Sequence, residues 1–431
     1  MPKTLEVWLS GVHVGTLSQV DGRLSFTYSP ALMSSLNDNG IATVSSPLSQ
    51  SLPFRAEPFD DRATRPFFAG LLPEGGKRKL IAQTLHVSRQ NDFALLDSLG
   101  GECAGAVTLL EPDQPPKAPG SPNTVRWLDA TQLLAVLDEM PLRPMLAGDE
   151  GLRLSLAGAQ DKLPVVSEGD RIGLPQFGAP SSHILKPPIS AVDGSVFNEG
   201  FCMALAGAMQ LDVAKTKIHR IADCPSQRHY LLVERYDRQS EAKDHRLHQE
   251  DFCQALGVAP EMKYQSEGGP DLAQAFELVR RATRPSAPQT LKLLDFVIFN
   301  SLIGNHDAHG KNFSLLYTPK GAVLAPLYDA LCTAVYPSLT DKMAMKIGSK
   351  YKFSEVQVRH WEQFAVKASL SPALVKKRIL EIAKRLPELA QATLISFEAQ
   401  GNSHPILGQI VTLIDQRCSL TIRRISTSDA S

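Results

Sequence analysis

Residues 300–329 read NSLIGNHDAHGKNFSLLYTPKGAVLAPLYD, and the order of apolar and polar residues in this stretch sets the expected fold. The helix leading into it is apolar nearly all round (Leu291, Leu293, Leu294, Phe296, Val297, Ile298, Phe299, Leu302, Ile303), a pattern that belongs to a buried helix. Gly304-Asn305 suits a left-handed helix stop. Directly after this buried end stand His306, Asp307, His309, Lys311 and Asn312. Two short strands are expected at 313–317 and 322–328, joined by the turn residues Thr318-Pro319-Lys320-Gly321. If they pair in register about that turn, Asn312 lies opposite Asp329, and opposed residues of an antiparallel pair stand about 4.5–5.5 Å apart.

An amide oxygen and a carboxylate that close can hold one hard cation such as Mg²⁺, which takes few protein ligands and fills its octahedron with water and phosphate oxygens. Asp307 precedes Asn312 by five residues. That is the spacing of a kinase catalytic loop, where the aspartate accepts the substrate hydroxyl's proton and the asparagine binds a metal. Asp329, in Leu327-Tyr328-Asp329-Ala330, then takes the place of the later metal-binding aspartate. The spacing alone recurs by chance in long chains; the ordered set of buried helix, polar loop, hairpin and aspartate carries the reading. A second reading makes His306-Asp307 and His309 part of a histidine–aspartate metal cluster that hydrolyses phosphoesters. It needs further histidines on neighbouring helices, whereas His183, His219 and His229 lie in or before a strand-rich part of the chain.

The first residues of the chain alternate apolar and polar (Val7-Trp8-Leu9, Val12-His13-Val14), as in a small strand meander. Helical spacing follows at Phe67, Phe68, Leu71 and Leu72, and again over 92–99. The segment 111–124, EPDQPPKAPGSPNT, holds five prolines in fourteen residues and reads as a surface connector. Strands are expected at 162–166, 183–186, 217–221 and 230–234, with a helix at 198–209. Helices are expected at 272–281, 289–303, 372–386 and 406–420. A strand-rich part followed by a helical one predicts an α+β, two-lobed chain with a cleft between the lobes.

With 431 residues, 43% hydrophobic and 21% charged, most of the chain should fold into two or three packed units. Equal numbers of basic and acidic residues give no whole-molecule attraction to nucleic acid or anionic membrane. No run reaches the roughly 18–20 apolar residues a membrane span needs. The start, MPKTLEVWLSG, lacks a signal-peptide core, so a cytoplasmic protein is expected. Six scattered cysteines (Cys103, Cys202, Cys224, Cys253, Cys332, Cys418) with no Cys-x-x-Cys pair point to reduced core thiols.

Phosphoryl transfer also needs a cation on the nucleotide phosphates, a covering loop and an adenine slot. Lys186 ends the apolar run His183-Ile184-Leu185-Lys186; taken alone, such a lysine is more often solvent-facing. Ser155-Leu156-Ala157-Gly158-Ala159-Gln160-Asp161-Lys162 has small residues whose backbone N–H groups can approach phosphates, although neither G-x-G-x-x-G nor Walker A fits the chain. Glu234-Arg235-Tyr236 leaves the strand-rich part where an adenine edge would be met.

Over nearly its full length the chain resembles the HipA toxins, serine/threonine kinases of bacterial toxin–antitoxin pairs. The resemblance rests on Phe67–Pro73, Gly105–Val107, Ser155–Lys162, His183–Pro187, Val233–Arg238, Gln249–Asp251, Tyr264–Pro270, Asp307–Asn312 and Leu327–Asp329. It implies a fold related to protein and phosphoinositide kinases, with a mixed α/β N-terminal lobe and an all-α C-terminal lobe. The parts would be an N-terminal subdomain (1–112), a strand-rich nucleotide-binding part (125–236) and a mostly helical catalytic part (237–431). It further implies ATP and Mg²⁺ as cofactors, Asp307 as base, Asn312 and Asp329 as metal ligands, and Lys186 on ATP. Ala157, Gly158, Ala159, Gln160, Asp161 and Lys162 would form the phosphate loop, Glu234, Arg235 and Tyr236 the adenine connector. His309, Gly310, Lys311 and Tyr328 would lie near the nucleotide, and Ser155 would be autophosphorylated. Asp161 stands where the family loop often has the longer glutamate. Implied partners are a small helix-turn-helix antitoxin (HipB-like), operator DNA through that antitoxin, and a protein substrate such as glutamyl-tRNA synthetase, with no membrane. A competing reading is a degenerate kinase acting as corepressor, with Lys376, Lys377 and Arg378 on DNA phosphates; such a run is usually a solvated helix face.

Overall fold

The structure, a computed structural model, describes residues 3–37, 46–112, 114–116, 124–221, 228–238 and 246–428. Cys224 and most of the proline-rich connector lie outside them; the other five cysteines are free and buried. The chain divides into two compact units that do not follow chain order: Met1–Pro187 with His219–Glu261 and Leu316–Lys320, and Pro188–Ile218 with Met262–Leu315 and Gly321–Ser431.

In the first unit the expected alternation builds an antiparallel sheet in the order Arg23–Tyr28, Val12–Val20, Lys3–Leu9, Val107–Leu110. Leu5, Val7 and Leu9 are buried on one face of Lys3–Leu9 while Thr4, Glu6 and Trp8 take the other. Helix Asp61–Ala69, capped by the Asp60 carboxylate, lays Phe67 and Phe68 on that sheet, with the Phe68 ring 5.5 Å from Phe26. A second sheet orders Thr124–Leu128, Arg171–Gln176, Leu163–Glu168, His183–Lys186 and His229–Glu234; the last three lie near predicted strands, while Thr124–Leu128 and Arg171–Gln176 add to them, and the strand expected at 217–221 is Thr216–Arg220.

The second unit is a helical stack. Ser195–Ala208 packs on Pro372–Ala399 through an edge-to-face pair of Phe201 and Phe397, ring centres 5.6 Å apart. The bulk is helical as expected, with one addition to the all-α expectation: Lys342–Ile347 and Lys350–Lys352 form an antiparallel ribbon. Gly348, at φ +60°, turns it, and a Cβ there would stand 2.5 Å from the His360 carbonyl oxygen. The helix expected to end at 386 runs on to Ala399, through Pro387. Proline inside a helix costs about 3 kcal/mol, but buried Ala390, Thr393 and Phe397 continue the apolar stripe beyond it and offset that cost. In helix Ser286–Ile303 the apolar run from Leu293 to Ile303 is buried as its sequence requires, whereas Leu291 is 41% exposed.

A buried carboxyl makes the first unit's stability pH-dependent. Glu250 accepts hydrogen bonds from Ser49 Oγ, Tyr317 OH and Gln50 N, the last at 3.0 Å. Burial still pushes it up to about 7. Because its folded value lies above its unfolded one, Glu250 contributes stability fully below pH about 4.5, and that contribution is lost as pH rises through about 7. Relative to Glu250→Gln, the wild type should lose about 3 kcal/mol across this window. Parallel denaturation curves of the two proteins from pH 4.5 to 8 check this; parallel pH dependence would refute it.

Candidate active site

Helix Ser286–Ile303 ends as its sequence requires. Gly304 takes φ +80°, its N–H donates to Asn300 O, and Asn305 N donates to the same carbonyl at 2.9 Å. The Asn305 side chain then organises the polar loop after the helix. Its Nδ2 donates to Asn300 Oδ1 at 2.8 Å and lies 3.4 Å from Asp329 O, while its Oδ1 accepts from Asp307 N at 3.1 Å. One amide thus joins the two aspartates predicted to act together. From the sequence, Asn305 reads only as a helix stop; a second asparagine at Asn300 is the available hint of a paired amide.

Asp307 is half-buried, and Tyr264 OH donates to its Oδ1 at 2.6 Å. Its backbone carbonyl accepts from His309 N at 2.8 Å and from Asn312 Nδ2 at 2.9 Å. With its nitrogen engaged there, the Asn312 amide has Oδ1 as its acceptor atom. Gly310 N donates to Lys263 O at 3.3 Å, and Tyr328 OH donates to the carbonyl of buried Lys311 at 2.8 Å. His309 is buried, edge-to-face with Tyr264 at 5.1 Å. Burial, helped by the Lys263 and Lys311 charges and opposed by Asp329, keeps its imidazole neutral well below the usual histidine range.

The expected register fails. Ala325 N does pair with Ser314 O at 2.8 Å, but the second strand is only Gly321–Leu324. Pro326 has no N–H to continue a ladder, and Leu327 turns instead to Asp212–Ala214, with Leu327 N to Asp212 O at 2.8 Å and Ala214 N to Leu327 O at 2.9 Å. Asp329, at φ +53°, is therefore positioned by this parallel bridge and by Asn305 rather than by hairpin pairing with Asn312.

The histidine–aspartate cluster lacks its ligands. Among the described residues no group of three or more His, Cys, Asp or Glu side chains could hold a metal. His306 Nδ1 is engaged by Thr340 O at 3.1 Å, while His309 packs on Tyr264.

In the first unit, two motifs far apart in sequence dock on each other. Ser155, 0% exposed, donates through Oγ to Leu71 O at 2.8 Å, and its N–H donates to Glu102 O at 2.9 Å. Pro73 bridges Gly158, whose carbonyl accepts from Glu74 N at 3.1 Å. The loop closes on itself through Lys162 Nζ to Ala157 O at 2.8 Å, so Lys162 folds back; Gly158 takes φ +112°, and a Cβ there would meet Lys162 Nζ at 2.8 Å. Asp161, the short acid, pairs with Lys77 at 2.6 Å. Ala159 and Gln160 complete the same loop.

Lys186 is not the solvent-facing strand lysine of the simpler reading: it is 3% exposed and pairs in the ladder with Leu231. Glu234 pairs with His183, and Tyr236 OH bonds the Gln249 side chain. Arg235 departs from a nucleotide-facing role. Its buried guanidinium pairs with Asp237 at 2.7 Å and Glu102 at 3.1 Å, and Arg238 also reaches Glu102 at 2.8 Å. Burial pushes the Asp237 carboxyl up, yet Arg235 and Arg238 outweigh it and hold the group well below the carboxylate range. A charge this buried needs such partners. Of the three basic residues on helix Pro372–Ala399, Arg378 is clamped by Asp295 at 2.6 Å and Lys376 pairs with Glu362 at 3.0 Å. Lys377 alone is mostly exposed, at 73% of its side chain.

A family model for the HipA N-terminal domain matches residues 5–110, and one for the HipA-like C-terminal domain matches residues 154–390. The chain is 48% identical over 391 residues to Y4mE of Sinorhizobium fredii, a protein named provisionally as a kinase, covering 90% of each. It is 29% identical over 357 residues to the serine/threonine-protein kinase toxin HipA of Shewanella oneidensis, 79% of each chain. Among solved structures it is similar to HipA from the Shewanella oneidensis complex of HipA, HipB and operator DNA, with a TM-score of 0.82 and 25% identity over 98% of each chain.

Proposed function

Because this chain belongs to the HipA family and has its α+β kinase-like fold, we propose that it is an ATP-dependent serine/threonine protein kinase acting as the toxin of a toxin–antitoxin pair. The observation that carries this is the tethering of Asp307, with Tyr264 OH on its carboxylate at 2.6 Å and the Asn312 amide on its carbonyl at 2.9 Å. Asp307 accepts the proton of a serine or threonine hydroxyl as that oxygen attacks the γ-phosphorus. Asn312 Oδ1 and the Asp329 carboxylate are the donor set a hard divalent cation prefers. Mg²⁺, when bound there, supplies neutralisation of phosphate charge. Buried Lys186 serves as the cation for the α- and β-phosphates, the backbone of 157–162 covers the phosphates, and the connector Glu234–Tyr236 meets adenine through its backbone, since the Arg235 side chain is engaged elsewhere.

The substrates of this reading are Ser155 of the chain itself and a translation enzyme such as glutamyl-tRNA synthetase. Its partners are a helix-turn-helix antitoxin like HipB and, through it, operator DNA. No helix among the described residues is long and apolar enough to cross a membrane; the setting in this reading is the cytoplasm.

Mass spectrometry of the purified chain after incubation with ATP and Mg²⁺ tests the proposal. A phosphate on Ser155 that requires both reagents is expected. Absence of phosphate from the chain and from added glutamyl-tRNA synthetase alike would remove the kinase reading.

A further inference from the structure

We propose that Tyr264 is the positioning residue of the phosphoryl-transfer site, holding one oxygen of Asp307 so that the other, Oδ2, takes the proton; this rests on the reading of Asp307 as the base. The phenol donates to Asp307 Oδ1 at 2.6 Å, within the range of a charge-assisted O–H···O⁻ bond.

The tyrosine is itself held by its sequence, Tyr264-Gln265-Ser266-Glu267-Gly268-Gly269. Glu267 N and Gly269 N both donate to Tyr264 O, each at 2.9 Å. Gly268 takes φ +95°, and a Cβ on Gly269 would stand 2.2 Å from Met262 O, so both positions demand glycine. The same turn is tied outward on both sides: Lys346 N donates to Gln265 Oε1 at 2.7 Å, and Gly310 N to Lys263 O at 3.3 Å. The ring also meets His309 edge-to-face, so phenol and catalytic loop keep one geometry. A residue needed only to fill space would not require a glycine pair, two backbone ties and a hydroxyl on the acid.

The hydrogen bond fixes the carboxylate plane, which directs Oδ2 at the incoming hydroxyl. The proton passes from the substrate oxygen to Oδ2, the substrate oxygen bonds the γ-phosphorus, and the bond from that phosphorus to the β–γ bridging oxygen breaks to leave ADP.

The test compares wild type, Tyr264→Phe and Asp307→Asn full-length proteins, measuring initial rates of Ser155 phosphorylation against Mg-ATP concentration. Tyr264→Phe should lower kcat about tenfold and leave KM for ATP within about twofold. A Tyr264→Phe protein with wild-type thermal stability and unchanged kcat overturns the proposal. If the wild type transfers no phosphate, the kinase reading falls and this inference with it. If wild type and Asp307→Asn are equally active, the base assignment fails. An active wild type, an inactive Asp307→Asn and an unaltered Tyr264→Phe refute the role of Tyr264 alone.

Discussion

Asp307→Asn is expected to lower phosphate transfer to Ser155 and to added protein substrate by about 10²–10⁴-fold, the usual contribution of a positioned general base. The substitution keeps the shape of the side chain. The amide oxygen can still accept from Tyr264, and the backbone bonds to Asn305, His309 and Asn312 do not involve the carboxylate. Thermal stability should therefore stay within a degree or two of wild type, on the scale of surface-like changes. Loss of rate with an unaltered melting curve separates chemistry from folding. Retention of more than about a tenth of the wild-type rate would remove Asp307 from the role of base.

The second large effect concerns Ser155, whose hydroxyl donates to Leu71 O at 2.8 Å in a site closed to solvent. Ser155→Asp places a carboxylate against a carbonyl oxygen, with no cation among the contacts of that side chain. An uncompensated buried charge costs about 3–5 kcal/mol. The segment should leave its contacts with Leu71, Pro73 and Glu74, carrying residues 157–162 with it. A shift of that size lowers the fraction of closed loop about 10²–10⁴-fold, and ATP affinity should follow if the backbone of 157–162 holds the phosphates. Titration with ATP, together with limited proteolysis between 155 and 162, measures both. A native phosphate, with about −1.5 to −2 charges, should act in the same direction. Ser155→Ala is the control: it loses one hydrogen bond, worth about 1 kcal/mol, and should keep the loop seated. Unchanged ATP affinity and unchanged cleavage in Ser155→Asp would show that burial of this hydroxyl does not govern the loop. The hydroxyl is closed to solvent where it stands, so phosphorylation of Ser155 under the proposed activity would require the segment to open first.

Much of this architecture is legible from local patterns. Alternation in Lys3–Leu9, the stop at Gly304 and the run His183–Lys186 are short-range consequences of pleat, left-handed glycine and apolar strand, and each appears where its residues dictate. The polar loop after the buried helix also singles out Asp307 and Asn312, which the structure joins through the Asn312 amide. Local reading fails where a residue answers to a distant partner. Pro326 is the local sign that no ladder can carry Asp329 to a place opposite Asn312. The segment Leu327 bridges, Asp212–Ala214, lies more than a hundred positions earlier. Arg235 reads as a connector residue because Glu102, its buried counter-charge, belongs to another part of the chain.

The helix stop, the strand alternation, the glycine-demanding turns and the polar loop carrying Asp307 and Asn312 follow from residues close in the chain, because each depends on backbone sterics and periodicity over a few positions. Long-range packing alone set that Asn305 joins two aspartates, that Tyr264 rests on Asp307, and that Ser155 is sealed by Leu71. Those are hydrogen bonds between groups remote in sequence, and their existence depends on which surfaces the apolar core brings together.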